Sequence, residues 1–238
     1  MLLQCQKILG IPFKKTGRDT LSYLSTEALK AILKQPNRNT SSGRRDLVLL
    51  TVLYDTGARV QEIIDMVVKD IRLENPPIIS LTGKGNKTRH VPVMSKTAKI
   101  LSDYLIERRL DTAAMHNHPF FYNSQHKMLT RAGVTYIINK YVNAAGMLEG
   151  IVLPGRVTPH MFRHTKAMHL LQANVNLVYI RDFLGHVNVA TTEIYARADS
   201  EMKRAALEKA YMEVVTDDIP VWSEDNDLMS WLQNFCNH

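Results

Sequence analysis

The chemically most suggestive tyrosine of the chain, Tyr195, lies in the stretch LGHVNVATTEIYAR, nine residues after His186. A phenol with a pKa of about 10 is only about 0.1% ionised at pH 7, so tyrosine is a poor nucleophile by itself. It becomes useful only with cationic neighbours and a base close by. Taken alone, the stretch is explained equally well by an aromatic side chain that packs between helices.

A second group of reactive side chains lies in TPHMFRH, where His160 and Arg163 are three residues apart. On a helix this spacing puts both side chains on one face. They follow Thr158-Pro159, the pattern of a helix N-terminus, where backbone N–H groups attract an anion. A basic surface turn is the simpler explanation of this motif in isolation. His160 and His164 also have the spacing of a metal-binding pair, but the glutamate of an HExxH motif is absent and Arg163 lies between them, so we expect no metal.

The segment TGKGNKTRH carries Lys84, Lys87 and Arg89 at the expected tip of a hairpin. Glycines on both sides of Lys84 allow the backbone to approach a partner closely. The GxxxxGK[ST] spacing of a phosphate-binding P-loop is absent, and no helix follows. The alternative to a hairpin that contacts a partner is a basic hairpin that is simply exposed to solvent.

Arg59 follows Gly57 in DTGARVQE, and Glu62 lies one helical turn further on. Glu62 either orients Arg59 or another basic residue, or it is an ordinary charge on a helix surface. Taken together, the motifs provide two arginines, a lysine and two histidines that could activate a tyrosine. These cations and bases are the groups that activate a phenol. They are also the groups required for in-line attack on a phosphodiester when no metal neutralises the phosphate.

The elements that must position these residues are mainly helical. Helices are predicted from a Ser25 cap to about residue 35, over DLVLLTVLYDTG up to Gly57, and over ARVQEIIDMVV, where Val67 continues an apolar face. QPNRNTSSGRR is predicted as a polar loop. Between about 71 and 93, two β-prone runs and a short DIRL strand predict a small antiparallel sheet of three strands.

Further helices are predicted after the sheet, each from a capping residue or a terminating glycine. They begin at Ser95, Thr130, Thr158-Pro159, Asn176 and Ser200, and a short helix covers 189–196. The helix after Thr130 carries the clearest apolar stripe, which comprises Val134, Ile137, Ile138, Tyr141, Val142 and Ala145. The predicted fold class is therefore mainly α, of α+β type.

Composition and charge restrict the class of protein further. The chain has 238 residues, 45% hydrophobic and 22% charged, as in ordinary globular proteins. No apolar run approaches the roughly 18 residues of a membrane span. The two cysteines, Cys5 and Cys236, provide neither a disulfide framework nor a cysteine-rich metal site. Residues 216–238 contain five acids and no Lys or Arg, so residues 1–215 carry a net charge of +12 and favour a polyanionic partner.

The ordered set of motifs resembles the tyrosine recombinases, the phage integrase family. The resemblance covers roughly residues 20–215 and implies the helical catalytic fold of that family. The matching motifs are, in chain order, TGARVQE around Arg59, TGKGNKTRHVPV around Lys84, TPHMFRHT with His160 and Arg163, LGH with His186, and the nine-residue step to Tyr195.

The resemblance implies a role for each matched residue. Tyr195 attacks a DNA phosphodiester to give a 3′-phosphotyrosyl link and a free 5′-hydroxyl, Lys84 protonates the departing oxygen, and His160 serves as general acid and base. No cofactor and no metal are implied.

The remaining matched residues are expected to bind the phosphate. Arg59 and Arg163 hold its non-bridging oxygens, a bidentate task suited to guanidinium groups, and His186 donates a further bond. Glu62, Lys87 and Arg89 are candidates for supporting these residues or for contacting DNA.

The resemblance also predicts how the chain is divided. Residues 1–20 resemble the end of a core-binding domain and its linker, 21–215 the catalytic domain, and 216–238 an acidic linker with a C-terminal helix. We expect a catalytic-domain fragment rather than a naturally short recombinase. The helix is expected to dock on a neighbouring subunit, with docking on its own body as the alternative.

The partner expected from the resemblance is double-stranded DNA, bound by a homotetramer, although an isolated fragment can be monomeric. The expected location is the bacterial cytoplasm, at the nucleoid, and the expected source is a mobile element or prophage. A type IB topoisomerase-like enzyme is disfavoured by the compact LGH motif and the phage-like hairpin. A DNA-binding regulator without catalysis would lack a catalytic residue, and all are present.

Overall fold

The computed structural model describes residues 22–83, 85–186 and 192, and within them the chain is mainly helical. Short 3₁₀ turns cover Val68–Asp70 and Ala113–Met115. The helices are α1 (Thr26–Lys34), α2 (Ser41–Thr56), α3 (Val60–Ile64), α4 (Ser95–Glu107), α5 (Arg131–Gly146), α6 (Pro159–Gln172) and α7 (Leu177–Leu184).

Helix α2 runs through the core and packs against both α4 and α6. Its residues Leu49, Leu50 and Leu53 are fully buried, as the apolar run DLVLLTVL predicts. It ends at Gly57, which adopts the left-handed conformation (φ 55°) and turns the chain toward Arg59. The end of α2 therefore delivers the first of the predicted site residues.

The predicted three-stranded antiparallel sheet is confirmed, with the strand order β1-β2-β3. The strands are β1 (Ile71–Arg72), β2 (Ile78–Thr82) and β3 (Thr88–Pro92), and Leu81 pairs with Arg89. The buried side chains of β2 and β3 alternate with exposed ones, so one face of the sheet lies on the core. The β2–β3 hairpin carries the basic segment, and Arg89 lies on β3.

Several helix starts are confirmed by the caps that the sequence indicated. Ser25, Thr130 and Thr158 each accept a hydrogen bond from a backbone N–H in the first turn. Asn176 does the same for α7, which ends at the left-handed Gly185. The helices predicted over 189–196 and from Ser200 lie outside the described residues.

Three details of the helix predictions are wrong. Helix α2 begins at Ser41, because Thr40 caps it through the N–H of Gly43, so the supposed loop residues SSGRR are helical. Helix α3 ends at Ile64, and Val67 instead forms a bridge with Pro119. Ser95 is the first residue of α4 rather than its cap, which is Met94 without a side-chain bond.

None of the helices in the described part of the chain is long and apolar enough to cross a membrane.

Candidate phosphate-binding and strand-transfer site

A single buried guanidinium joins the three segments that carry most of the predicted site. Arg163 on α6 is 1% exposed, and its two terminal nitrogens donate to the carbonyl oxygens of Gly57 at 2.7 Å and Leu184 at 2.6 Å. Gly57 precedes Arg59 by two residues, and Leu184 precedes His186 by two. The structure therefore brings Arg59 together with Arg163 and His186, which lie 104 and 127 residues further along the chain.

Glu62 is a buried carboxylate, 4% exposed, and not a charge on the helix surface. Its two oxygens accept from Arg59 twice, from the backbone N–H at 2.8 Å and from the guanidinium at 2.8 Å. Arg59 keeps 40% of its side chain exposed at the start of α3. Its guanidinium is therefore oriented from behind while one side still faces solvent.

Arg89 makes the stronger pair with the same carboxylate. Its terminal nitrogens donate to the two oxygens of Glu62 at 3.0 and 2.8 Å, and its Nε donates to the carbonyl of Phe183 at 3.1 Å. This bidentate geometry is the favourable one for an arginine and a carboxylate. Arg89 thus fastens β3 to both α3 and the end of α7.

Gly185 is required where α7 ends beside Arg89. It adopts a positive φ of 67°, and a Cβ at this position would lie 3.0 Å from Cδ of Arg89. Both the backbone conformation and the close approach therefore favour glycine. The LGH motif thus has a physical basis: glycine turns the chain so that His186 follows next to the arginine cluster.

The histidines of the site are held in their neutral forms. Partial desolvation of the ring, followed by the positive charges of Arg163 and Arg59, lowers the pKa of His160 on the first turn of α6, although the residue as a whole remains accessible to solvent. Burial, followed by the same two arginines, lowers the pKa of His186 to about 4. Nδ1 of His186 lies 3.0 Å from the hydroxyl of Thr192, three residues before Tyr195.

His164 is a further member of the cluster that the sequence indicated only as a metal-binding partner. Its ring lies edge-on to the ring of His160, with 4.6 Å between the ring centres. Burial, then His160 and Arg163, lower its pKa to about 4. Among the described residues, no group of three or more His, Cys, Asp or Glu is arranged to hold a metal ion.

The remaining predicted residues are distributed differently. Lys87 is exposed on the hairpin, where its carbonyl accepts from the N–H of Gly83 at 2.9 Å, and it is not part of the Glu62 cluster. Lys84 and Tyr195 lie outside the described residues. The sequence did not indicate Thr192. It also did not indicate the carbonyls of Gly57 and Leu184, since every residue has a backbone carbonyl and the residue type does not reveal its role.

Chemically, the described residues form a cationic cluster next to neutral imidazoles. Guanidinium groups such as Arg59 and Arg163 suit the planar recognition of phosphate oxygens. Neutral imidazoles can accept a proton from an attacking hydroxyl or donate a hydrogen bond. This combination suits phosphoryl transfer, in which positioning and charge stabilisation provide most of the catalysis.

The fold is that of a tyrosine-recombinase catalytic domain. The Phage integrase family model matches residues 22–202, so the chain belongs to the phage integrase family.

The similar proteins include a putative integrase/recombinase y4rC of Sinorhizobium fredii, 37% identical over 207 residues, which cover 87% of this chain and 61% of that protein. The tyrosine recombinase XerD of Corynebacterium glutamicum is 32% identical over 186 residues, covering 78% and 59% of the two chains. A solved structure of the XerH site-specific recombinase bound to its palindromic difH substrate, a post-cleavage complex, superposes with a TM-score of 0.68 at 26% identity. That match covers 83% of this chain and 56% of the other. The chain therefore spans about three fifths of the length of these curated relatives.

Proposed function

We propose that the chain is the catalytic part of a site-specific recombinase that cleaves and rejoins double-stranded DNA through Tyr195. The observation that carries the proposal is the bonding of Arg163 to the carbonyls of Gly57 and Leu184, which lie next to the segments of Arg59 and His186, the other residues proposed to bind phosphate. The recombinases among its relatives support the same reading.

The proposed reaction balances without a cofactor. The phenolic oxygen of Tyr195 attacks the phosphorus atom, the bond from phosphorus to the 5′-oxygen breaks, and a 3′-phosphotyrosyl link remains. His160 takes the phenolic proton, and Lys84 gives a proton to the leaving 5′-oxygen. Attack by another strand's 5′-hydroxyl reverses these steps, so rejoining consumes no external energy source.

The phosphate-binding residues have separate tasks in this proposal. Arg59 and Arg163 bind the non-bridging oxygens and stabilise the charge that develops on them. His186 donates a further hydrogen bond to the phosphate, and Glu62, itself held by Arg89, keeps Arg59 in position. Lys87, exposed at the hairpin, is assigned to DNA contact.

The assembly follows from the same proposal. Residues 21–215 are the catalytic domain, and four such subunits act on two duplexes. The helix within 216–238 docks on the next subunit. The protein works at the bacterial nucleoid in the cytoplasm, and the similarity to a putative integrase favours a mobile element over a chromosomal Xer system. Sequencing the DNA that flanks the gene tests this last assignment: element-borne genes next to it support the proposal, and a conserved chromosomal setting contradicts it.

A nicked suicide substrate tests the chemistry directly. Because the short strand beyond the nick diffuses away, the covalent adduct accumulates and survives SDS. We expect the adduct with the wild-type chain and none with Tyr195→Phe. Tyr179→Phe is the matched control, since Tyr179 is 70% exposed on α7 and should leave adduct formation unchanged. An adduct that persists in Tyr195→Phe would refute the nucleophile assignment.

The same experiment separates the alternatives. A wild-type chain that binds DNA without forming an adduct would be a regulator. Relaxation of supercoiled DNA without any exchange between duplexes would indicate a topoisomerase.

Lys84 is tested by changing the leaving group. Lys84→Ala should slow adduct formation by roughly 100-fold or more, the usual range for a lost general acid. A substrate with sulfur at the leaving 5′-position needs no protonation and should restore most of the rate. Absence of rescue would contradict the general-acid role.

A further inference from the structure

Lys166 is a mostly buried lysine one turn after Arg163, with 18% of its side chain exposed. Its ammonium lies 4.8 Å from the ring centre of Tyr54 and 5.8 Å from that of Phe183. Its Nζ is 3.9 Å from Oδ1 of Asp55. Tyr54 and Asp55 are in the last turn of α2, and Phe183 is in the last turn of α7. The ammonium therefore lies where three site-bearing helices meet.

This arrangement has an energetic cost. Burial lowers the pKa of Lys166, and the attraction of Asp55 only partly offsets that effect. Asp55 is itself fixed by a hydrogen bond from the hydroxyl of Thr97 on α4. Aromatic faces within about 6 Å stabilise a desolvated cation, but an apolar side chain of similar volume would fill the space without a buried charge. Volume alone therefore does not account for a lysine at this position.

Lys166 packs next to two residues, Gly57 and Phe183, whose carbonyl oxygens bind arginines of the site. A Cβ on Gly57 would lie 3.8 Å from Cγ of Lys166 and 3.6 Å from Cε1 of Phe183, so stem and ring both pack on Gly57. The carbonyl of Gly57 accepts from Arg163, and the carbonyl of Phe183 accepts from Arg89. Two carbonyls that fix site arginines thus belong to the residues that Lys166 brings together.

We infer that Lys166 is a positioning residue, which clamps the end of α7 to the end of α2 so that the carbonyls of Gly57 and Phe183 hold Arg163 and Arg89 in place. The inference rests on the proposed function, in which Arg163 binds the DNA phosphate, while Arg89 holds Glu62 and through it Arg59. Lys166 itself touches no reacting atom. Its effect on the reaction passes through the two arginines.

The test uses Lys166→Met, which keeps the length of the stem and removes the charge. Adduct formation is measured in a single turnover at saturating suicide substrate. We expect Lys166→Met to be about tenfold slower than wild type, and Lys166→Arg, which retains a cation, to recover most of the rate. Lys140→Met is the matched control, because Lys140 lies 4.9 Å from the ring centre of Tyr141 but on α5. Its rate should equal that of wild type.

A second substrate distinguishes positioning from a general loss of structure. A neutral methylphosphonate at the cleavage point depends less on arginine charge, so the deficit of Lys166→Met should shrink on it. An equal deficit on both substrates would mean that the variant is merely damaged, and a wild-type rate on the phosphate substrate would mean that the clamp is unnecessary. Either result overturns the inference.

A measurement without DNA separates this inference from the proposed function. Nitrogen-15 NMR of the free protein follows solvent exchange of the Nε–H of Arg89, which donates to the carbonyl of Phe183. We expect faster exchange in Lys166→Met and unchanged exchange in Lys140→Met. Unchanged protection in Lys166→Met overturns the inference even if cleavage occurs. A wild-type chain that never forms an adduct refutes the proposed function, whatever this measurement gives.

Discussion

Glu62→Gln removes the negative charge that Arg59 and Arg89 share while it preserves the size of the side chain. Glu62 is 4% exposed and receives three guanidinium bonds and one backbone bond, all between 2.8 and 3.0 Å. Glutamine keeps one acceptor oxygen, but its NH₂ group then faces a guanidinium. The substitution should therefore break at least one of the two bonds from Arg89.

The expected cost follows from the burial of each partner. Removing one member of a buried ion pair costs about 3–5 kcal/mol, and the retained oxygen reduces this to about 2–3 kcal/mol for glutamine. Arg59 is 40% exposed, so its coupling to Glu62 should stay below about 1 kcal/mol. Arg89 is 13% exposed and bidentate, so its coupling should reach about 2 kcal/mol. Double-mutant cycles with Arg89→Met and Arg59→Met measure the two couplings separately.

Urea unfolding of the protein without DNA provides the assay, repeated as a function of pH. Burial raises the pKa of Glu62, but the bonds from Arg89 and Arg59 outweigh it and hold the pKa below its ordinary value. Because the native pKa is depressed, the stabilisation by Glu62 is fully present above its unfolded-state pKa of about 4.3 and is lost as the pH falls below it. The difference between wild type and Glu62→Gln should therefore be constant near pH 7 and shrink in acid. A difference below about 0.5 kcal/mol at pH 7, or equal couplings to both arginines, would refute this account of the cluster.

Three further predictions concern the glycine and the histidines of the site. Gly185→Ala should lower the free energy of unfolding by about 1–3 kcal/mol, because it adds a strained φ and a Cβ 3.0 Å from Cδ of Arg89. Gly150→Ala is the control, because Gly150 has φ 77° but nothing within 4 Å of its Cβ. In the same urea titration it should lose only the contribution of the backbone strain. Because the pKa of His186 is lowered in the folded protein, the unfolded chain binds a proton at this residue at higher pH than the folded chain does. The contribution of His186 to the free energy of unfolding is therefore fully present above pH 6.5 and declines as the pH falls toward 4. The decline should be less steep in His186→Asn. The pKa of His160, followed by NMR in the uncleavable nucleophile variant, should rise when DNA binds, because a phosphate opposes the positive charge that lowers it; an unchanged or lower pKa would place the phosphate elsewhere.

The elements that the sequence predicts well are those that local chemistry determines. Thr130 and Thr158 begin helices because each side chain accepts a bond from the first turn, and this needs no distant residue. The stripe from Val134 to Ala145 lies buried, with only Val142 half-buried, because its spacing matches the helical repeat. The hairpin was predictable for the same reason, since two β-prone runs flank a glycine-rich tip.

The predictions fail where contacts with distant parts of the chain determine the local structure. Helix α3 stops at Ile64 although the apolar pattern continues, because the N–H of Val68 bonds to the carbonyl of His118 and Val67 pairs with Pro119. The spacing of Arg59 and Glu62 left two roles open for the carboxylate. Only the fold brings Arg89, 27 residues further on, to the same oxygens.

Two kinds of support for arginine coexist in this site, and they have different electrostatic consequences. Arg89 is paired with the carboxylate of Glu62, which it shares with Arg59, and it fastens β3 to α3 and α7. Arg163 is held by the carbonyls of Gly57 and Leu184, which fix its position but carry no net charge. Burial first, and then the positive charge of Arg163, lower the pKa values of His160 and His186, and burial, His160 and Arg163 lower that of His164.

The difference matters for an anionic substrate. A phosphate that approaches Arg163 meets a guanidinium whose position is already fixed by packing, so little reorganisation is needed when charge develops on its oxygens. Burial and the same positive charge favour the neutral imidazoles, and a bound phosphate would oppose the effect of that charge. In the proposed reaction, proton uptake by His160 from the nucleophile would therefore be more favourable with DNA in place than without it.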